Sequence, residues 1–103
     1  LVNKNFRSGT SFERRFINDL IKSQQAVKAG RFYASKGITD VWWVTPNGKH
    51  HEAQLKFSKN NNPYIHPKEL EKLQDFANQV LGVMIIWLVT KQSRKTMMMR
   101  RLN

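Results

Sequence analysis

An α/β fold, a mixed sheet of about four or five strands flanked by helices, is predicted by three stretches of this sequence. Phe12, Phe16, Ile17, Leu20 and Ile21 recur at helical spacing. His51, Ala53, Leu55 and Phe57 alternate with His50, Glu52, Gln54 and Lys56, a period of two with one apolar and one polar row. Val83 to Thr90 is apolar almost throughout, as in a central strand covered on both faces.

The elements follow in order. Thr10 with Glu13 three residues later has the form of a capping box, so the first helix is expected from about Ser11 to about Gln25. Val27 to Tyr33 is a short strand with Gly30 inside it, followed by a turn-like loop from Ala34 to Gly37. The next strand runs from Asp40 to Val44. Pro46, Asn47 and Gly48 then supply a hairpin turn, because Asn-Gly tolerates positive φ angles. The alternating stretch is the returning strand of that hairpin. Lys59 to Asn62 is a polar loop. Pro67 suits the first position of a second helix with Leu70, Leu73, Phe76, Ala77 and Val80 on one face, ending near Leu81 and Gly82. After the apolar strand, a last basic strand is expected around Thr96 to Leu102. One domain, residues 1–103, accommodates all of this.

Eighteen Lys and Arg against seven Asp and Glu give a formal charge of +11, spread along the chain rather than gathered in a tail. A folded basic surface attracts polyanions by releasing their counterions, which makes nucleic acid the leading partner. There are no cysteines, so disulfides and thiolate chemistry are excluded and a metal would fall to the carboxylates and three His. An intracellular setting is the expectation, in the cytoplasm or nucleoid, or in a host cell for a viral protein. The apolar run Val83 to Val89 is far shorter than the roughly 20 residues a bilayer span needs.

Three acids stand out. Glu13 lies within the apolar stripe of the first helix, where it is either the acid of the capping box or a carboxylate turned toward the sheet. Asp40 opens one strand of the hairpin and Glu52 lies on the other, so both can converge on one face. Hard cations such as Mg²⁺ take oxygen ligands and keep several waters, so two or three carboxylates suffice. Gln54 and Lys56 share the row of Glu52 and offer a hydrogen bond and a charge. An ordinary solvent-facing row is the plainer alternative. His50, His51 and His66 have no ligand spacing and are expected in surface or capping roles. Trp42, Trp43 and Trp87 are expected in the core or at an interface.

Read together, Gly9 to Arg14 (GTSFER), Arg31 to Gly37 (RFYASKG), Ile38 to Val41 (ITDV) and Glu52 to Lys56 (EAQLK) resemble the archaeal Holliday junction resolvases of the PD-(D/E)XK, restriction endonuclease-like, superfamily. The resemblance runs from about Gly9 to Val89, in the same order and at similar spacing. It implies an αβββαβ core and a metal-dependent endodeoxyribonuclease, a homodimer that cuts branched DNA in recombination and repair with Mg²⁺, or Mn²⁺ in its place. It also implies that Glu13, Asp40 and Glu52 hold the metal, that Ser35 contributes to cleavage, and that Gln54 or Lys56 positions the attacking water. Arg31, Lys36, Lys56 and Lys59 would contact the DNA backbone, as would the basic C-terminal segment. Thr39 stands where the family has Pro, and Gln54 where its Lys is expected two residues after the acid. Alternatives are a DNA-binding protein with a weak or inactive centre, a viral or mobile-element nuclease of linear DNA, and a basic RNA-binding protein whose acids are coincidental.

Overall fold

The structure, a computed structural model, describes residues 4–32 and 37–103, with side chains from Ser11 onward. Helix α1 (Lys4–Lys22) is followed by strands β1 (Lys28–Arg31), β2 (Val41–Val44) and β3 (His50–Ser58), then by helix α2 (Pro67–Gln79) and strands β4 (Met84–Gln92) and β5 (Met98–Arg101). The five strands form one sheet in chain order, β1-β2-β3-β4-β5. β3 and β4 pair in parallel and every other neighbour is antiparallel. The expected α/β class, mixed sheet and element order are those observed.

The start of the first helix is corrected. α1 begins at Lys4, well before Ser11, so Thr10 lies inside the helix and the Thr10–Glu13 pattern caps nothing. Extending a helix that is already nucleated requires fixing only one residue per bond, so even Gly9 is carried along. Glu13 therefore sits in mid-helix. At the far end Gln24, at φ 62°, ends the helical run. Between β2 and β3 the turn forms as expected: Gly48 takes φ 84° and donates its N–H to the Thr45 carbonyl at 2.9 Å.

The helices cover opposite faces. Phe12, Phe16 and Leu20 of α1 pack on Val41, Trp43, Ala53, Leu55 and Val89. Leu73 and Ala77 of α2 pack on Ile86 and Leu88 from the other side, with Leu70, Phe76 and Val80 around them. β4 thus contributes alternate residues to both cores, which is why its sequence is apolar without alternation. Asn103 ties the last turn of chain to this second core. Its Nδ2 donates to the carbonyls of Ala77 (2.8 Å) and Met84 (2.9 Å), and its Oδ1 accepts the Ile86 N–H (2.9 Å).

His51 is buried rather than exposed. It lies on the apolar row of β3, stacked on Trp43 with ring centroids 5.0 Å apart, and its Nδ1 accepts the Trp87 indole N–H at 3.0 Å. That bond requires a neutral ring with its proton on Nε2. Burial, reinforced by Arg101, His50 and Lys49, holds its pKa below the ordinary 6.5. The unfolded chain therefore binds this proton more readily. The contribution of His51 to stability is complete above pH 6.5 and is lost as pH falls through the lowered folded value. Urea midpoints measured against pH should decline below 6.5 in the parent, and more shallowly in His51→Phe. Equal slopes would remove His51 as the cause.

Gly30 marks a close approach. A Cβ built there would lie 2.8 Å from the Trp42 ring. Gly30→Ala should cost about 1–3 kcal/mol, the usual range for overpacking, as read by urea denaturation.

Candidate active site

β2 stops at Val41, and Asp40 takes over where the ladder ends. Its own N–H donates to the Ala53 carbonyl at 2.8 Å, and its Oδ2 accepts the Leu55 N–H, also at 2.8 Å. Val41 is paired with Ala53. One step further along the register Asp40 therefore stands beside Gln54, with its carboxylate leaning toward the Lys56 end of β3. Burial raises the Asp40 pKa above the ordinary 3.8, the Leu55 bond opposes this, Glu13 and Glu69 push it further up, and Lys56 pulls it down.

Glu13, on α1, forms an ion pair with Arg31 at the end of β1, Oε1 to Nε at 3.1 Å. Arg31, expected on DNA, is thus engaged with the acid. Glu52 is elsewhere. It is paired with Trp42, and its Oε1 accepts the hydroxyl proton of buried Thr39 at 2.5 Å. Side chains two positions apart on a strand are separated by roughly 6–7 Å, and Asp40 leans the other way. Among the described residues, no three His, Asp or Glu side chains lie close enough together to hold a metal. Among the described residues Glu13, Asp40 and Glu52 are not gathered into one cluster, because the register sets Glu52 opposite Trp42 and leaves Gln54 beside Asp40. Ser35 and Lys36 lie outside the described residues.

Gln54 and Lys56 share a residue that sequence reasoning did not single out. Glu69, in the first turn of α2, accepts from Lys56 Nζ at 2.8 Å and from Gln54 Nε2 at 3.3 Å. These bonds hold Glu69 below the usual carboxylate range, the Lys56 bond most of all. Its only sequence signal is an acid just after Pro67, which reads as a favourable charge at a helix N-terminus. The side chain of Glu69 is 46% exposed, so the Lys56 pair is worth about 0–1 kcal/mol and fixes direction more than stability. Gln54 Oε1 is buried and, among the described residues, has no hydrogen-bond partner. An open groove of about 290 Å³ lies alongside, lined by Gly37, Ile38, Gln54, Glu69 and Lys72. Lys59 is exposed, and so is Lys72. His66 caps α2, its Nδ1 accepting the Lys68 N–H at 3.1 Å.

An α/β sheet in this order, entered through a half-buried aspartate beside a polar row, makes the protein one of restriction endonuclease-like fold. Among solved structures, that of a Holliday junction resolvase from an archaeal hyperthermophile, Archaeoglobus fulgidus, is similar, with a TM-score of 0.70 and 23% identity over 92% of this chain and 73% of that one. No curated protein matches. The family model for archaeal Holliday junction resolvases (Hjc) matches residues 4–103, and the chain belongs to that family. Its activity class is the family's, a nuclease of branched DNA. No helix among the described residues is long and apolar enough to cross a membrane.

Proposed function

We propose that this chain nicks four-way DNA junctions by hydrolysis with a divalent cation, Mg²⁺ or Mn²⁺, held by Asp40 with Gln54 Oε1 and, from α1, Glu13. The observation that carries this reading is the buried Gln54 Oε1 beside Asp40, which has no hydrogen-bond partner among the described residues. An acceptor left unpaired in the interior costs about 1–3 kcal/mol, which a ligand there would recover. The donor chemistry fits a hard cation, which accepts neutral amide oxygens as well as carboxylates. When bound, such a cation would polarise the scissile phosphate and lower the pKa of a bound water.

On this reading Gln54 occupies the place of the family's strand acid, and Lys56, two residues on, that of its lysine. The Lys56 ammonium then opposes the negative charge that develops on the phosphate. Glu52 acts at a distance, holding Thr39 and so the entry of the chain to Asp40. Arg31 orients Glu13 until DNA competes for it. Lys59 and Lys72 track phosphates, as do Ser35 and Lys36 by resemblance, and binding should weaken steeply with salt. Two opposed strands of a junction call for two such centres, so a twofold dimer belongs to this reading. A DNA substrate also puts the chain inside a cell.

A labelled four-way junction, incubated with Mg²⁺ or Mn²⁺ against a duplex of the same sequence, tests it. Metal-dependent nicking of the junction by the parent and by Glu52→Gln, lost in Asp40→Asn, is the expected result. Loss in Glu52→Gln as well would return Glu52 to the cation. A folded parent that shifts the junction in a gel and never cuts it would make this a binding protein.

A further inference from the structure

Gln54 presents a chemical difficulty. An amide has two faces, one an oxygen that can accept and the other an NH₂ that can only donate. A cation beside Asp40 tolerates the first and is repelled by the second. A carboxylate at this position would have no such ambiguity, since both of its atoms accept.

Glu69 removes the ambiguity. Its Oε2 lies 3.3 Å from Gln54 Nε2, and an ionised carboxylate has no proton to give, so the atom facing it must be the NH₂. Oε1 is then the atom left over, and it is the buried oxygen that has no partner among the described residues. The same Oε2 accepts from Lys56 Nζ at 2.8 Å, which fixes where that ammonium points. One helix-borne acid thereby sets two neighbouring side chains of β3.

We propose that Glu69 is a positioning residue of the active site: it orients the Gln54 amide so that its oxygen serves where a carboxylate would, and it holds Lys56 beside it. Glu69 itself stays on the NH₂ side of the amide, away from the cation. The proposal rests on the cation reading above. It explains how a neutral residue is accommodated at that strand position, and it makes the requirement for Glu69 conditional on Gln54.

The condition is testable by binding as well as by cleavage. Mn²⁺ titrations followed by electron paramagnetic resonance would compare the parent with Asp40→Ala, Glu69→Ala, Gln54→Glu, and the double variant Gln54→Glu with Glu69→Ala. Circular dichroism melts of each would establish that it is folded. Loss of a partner that orients a ligand typically lowers metal affinity about 10- to 100-fold, and that is expected of Glu69→Ala. In the double variant affinity should return to that of Gln54→Glu, because a carboxylate needs no orienting. Undiminished affinity in Glu69→Ala, or a double variant as weak as Glu69→Ala alone, would overturn the role of Glu69. Undiminished affinity in Asp40→Ala would instead overturn the cation site, and the role of Glu69 with it.

Discussion

Asp40→Asn is expected to lose junction nicking by about 10³-fold or more, the rate equivalent of the several kcal/mol that a positioned cation supplies, while melting at a higher temperature than the parent. The two effects have one origin. Asn Oδ1 can still accept the Leu55 N–H that Asp40 accepts at 2.8 Å, so the end of the β2 ladder is kept. What disappears is a negative charge that burial, Glu13 and Glu69 all disfavour. Because these raise the pKa of Asp40 in the folded state, the folded protein binds that proton more tightly than the unfolded chain does. The stabilising contribution is therefore complete below the ordinary value of 3.8 and is lost as pH rises through the raised folded value. At neutral pH the ionised group weakens the fold, and the amide relieves it. Adding Mn²⁺ should reverse the order, since a cation bound only to the folded state stabilises the parent and not the variant. Thermal melts with and without Mn²⁺, beside the nicking assay, check each part. Parental nicking by Asp40→Asn would remove Asp40 from the chemistry.

The largest effect on stability is expected from Phe16→Ala, about 3–5 kcal/mol for an aromatic residue removed from a packed core. Phe16 is only 4% exposed and meets the Trp43 ring edge-on at 5.4 Å, with Phe12 on its other side at 6.5 Å. It joins α1 to the sheet. Domains of this size are stable by about 5–15 kcal/mol, so the variant should retain little margin at 37 °C. The urea midpoint should fall sharply with little change in slope. Ile21→Ala, on the same helix but 42% exposed, is a control that should shift stability by no more than about 0.5 kcal/mol. Equal losses from both would mean that α1 does not pack as described.

The polar row of β3 was legible because alternation assigns a face. It does not assign a level. Glu52, Gln54 and Lys56 share that face in any register two residues apart, and only the span of the hairpin decides which of them stands beside Asp40. The sequence reading put Glu52 there; the pairing of Val41 with Ala53 puts Gln54 there. Glu69 was illegible for a different reason. It reaches Gln54 through the docking of α2, a tertiary contact with no periodicity to announce it. His51 was misread although its signal was present: it occupies the same row as Ala53, Leu55 and Phe57, and alternation alone would have buried it. The start of α1 was misplaced because a capping pattern is only a local preference, which a helix already under way overrides.

The parallel pairing of β3 with β4 bears on the order in which the protein assembles. β2 and β3 are joined by a tight turn, so the Asp40–Gln54 half of the centre is brought together by neighbours in the chain. Glu69 is carried by the crossover between β3 and β4, and His50 finds Met84 only after roughly thirty intervening residues have been looped out. Closing such a loop is slower than closing a hairpin, since its entropy must be given up before any contact rewards it. The hairpin contact is therefore the cheaper one to close, and Glu69 is brought to Gln54 only by the longer crossover.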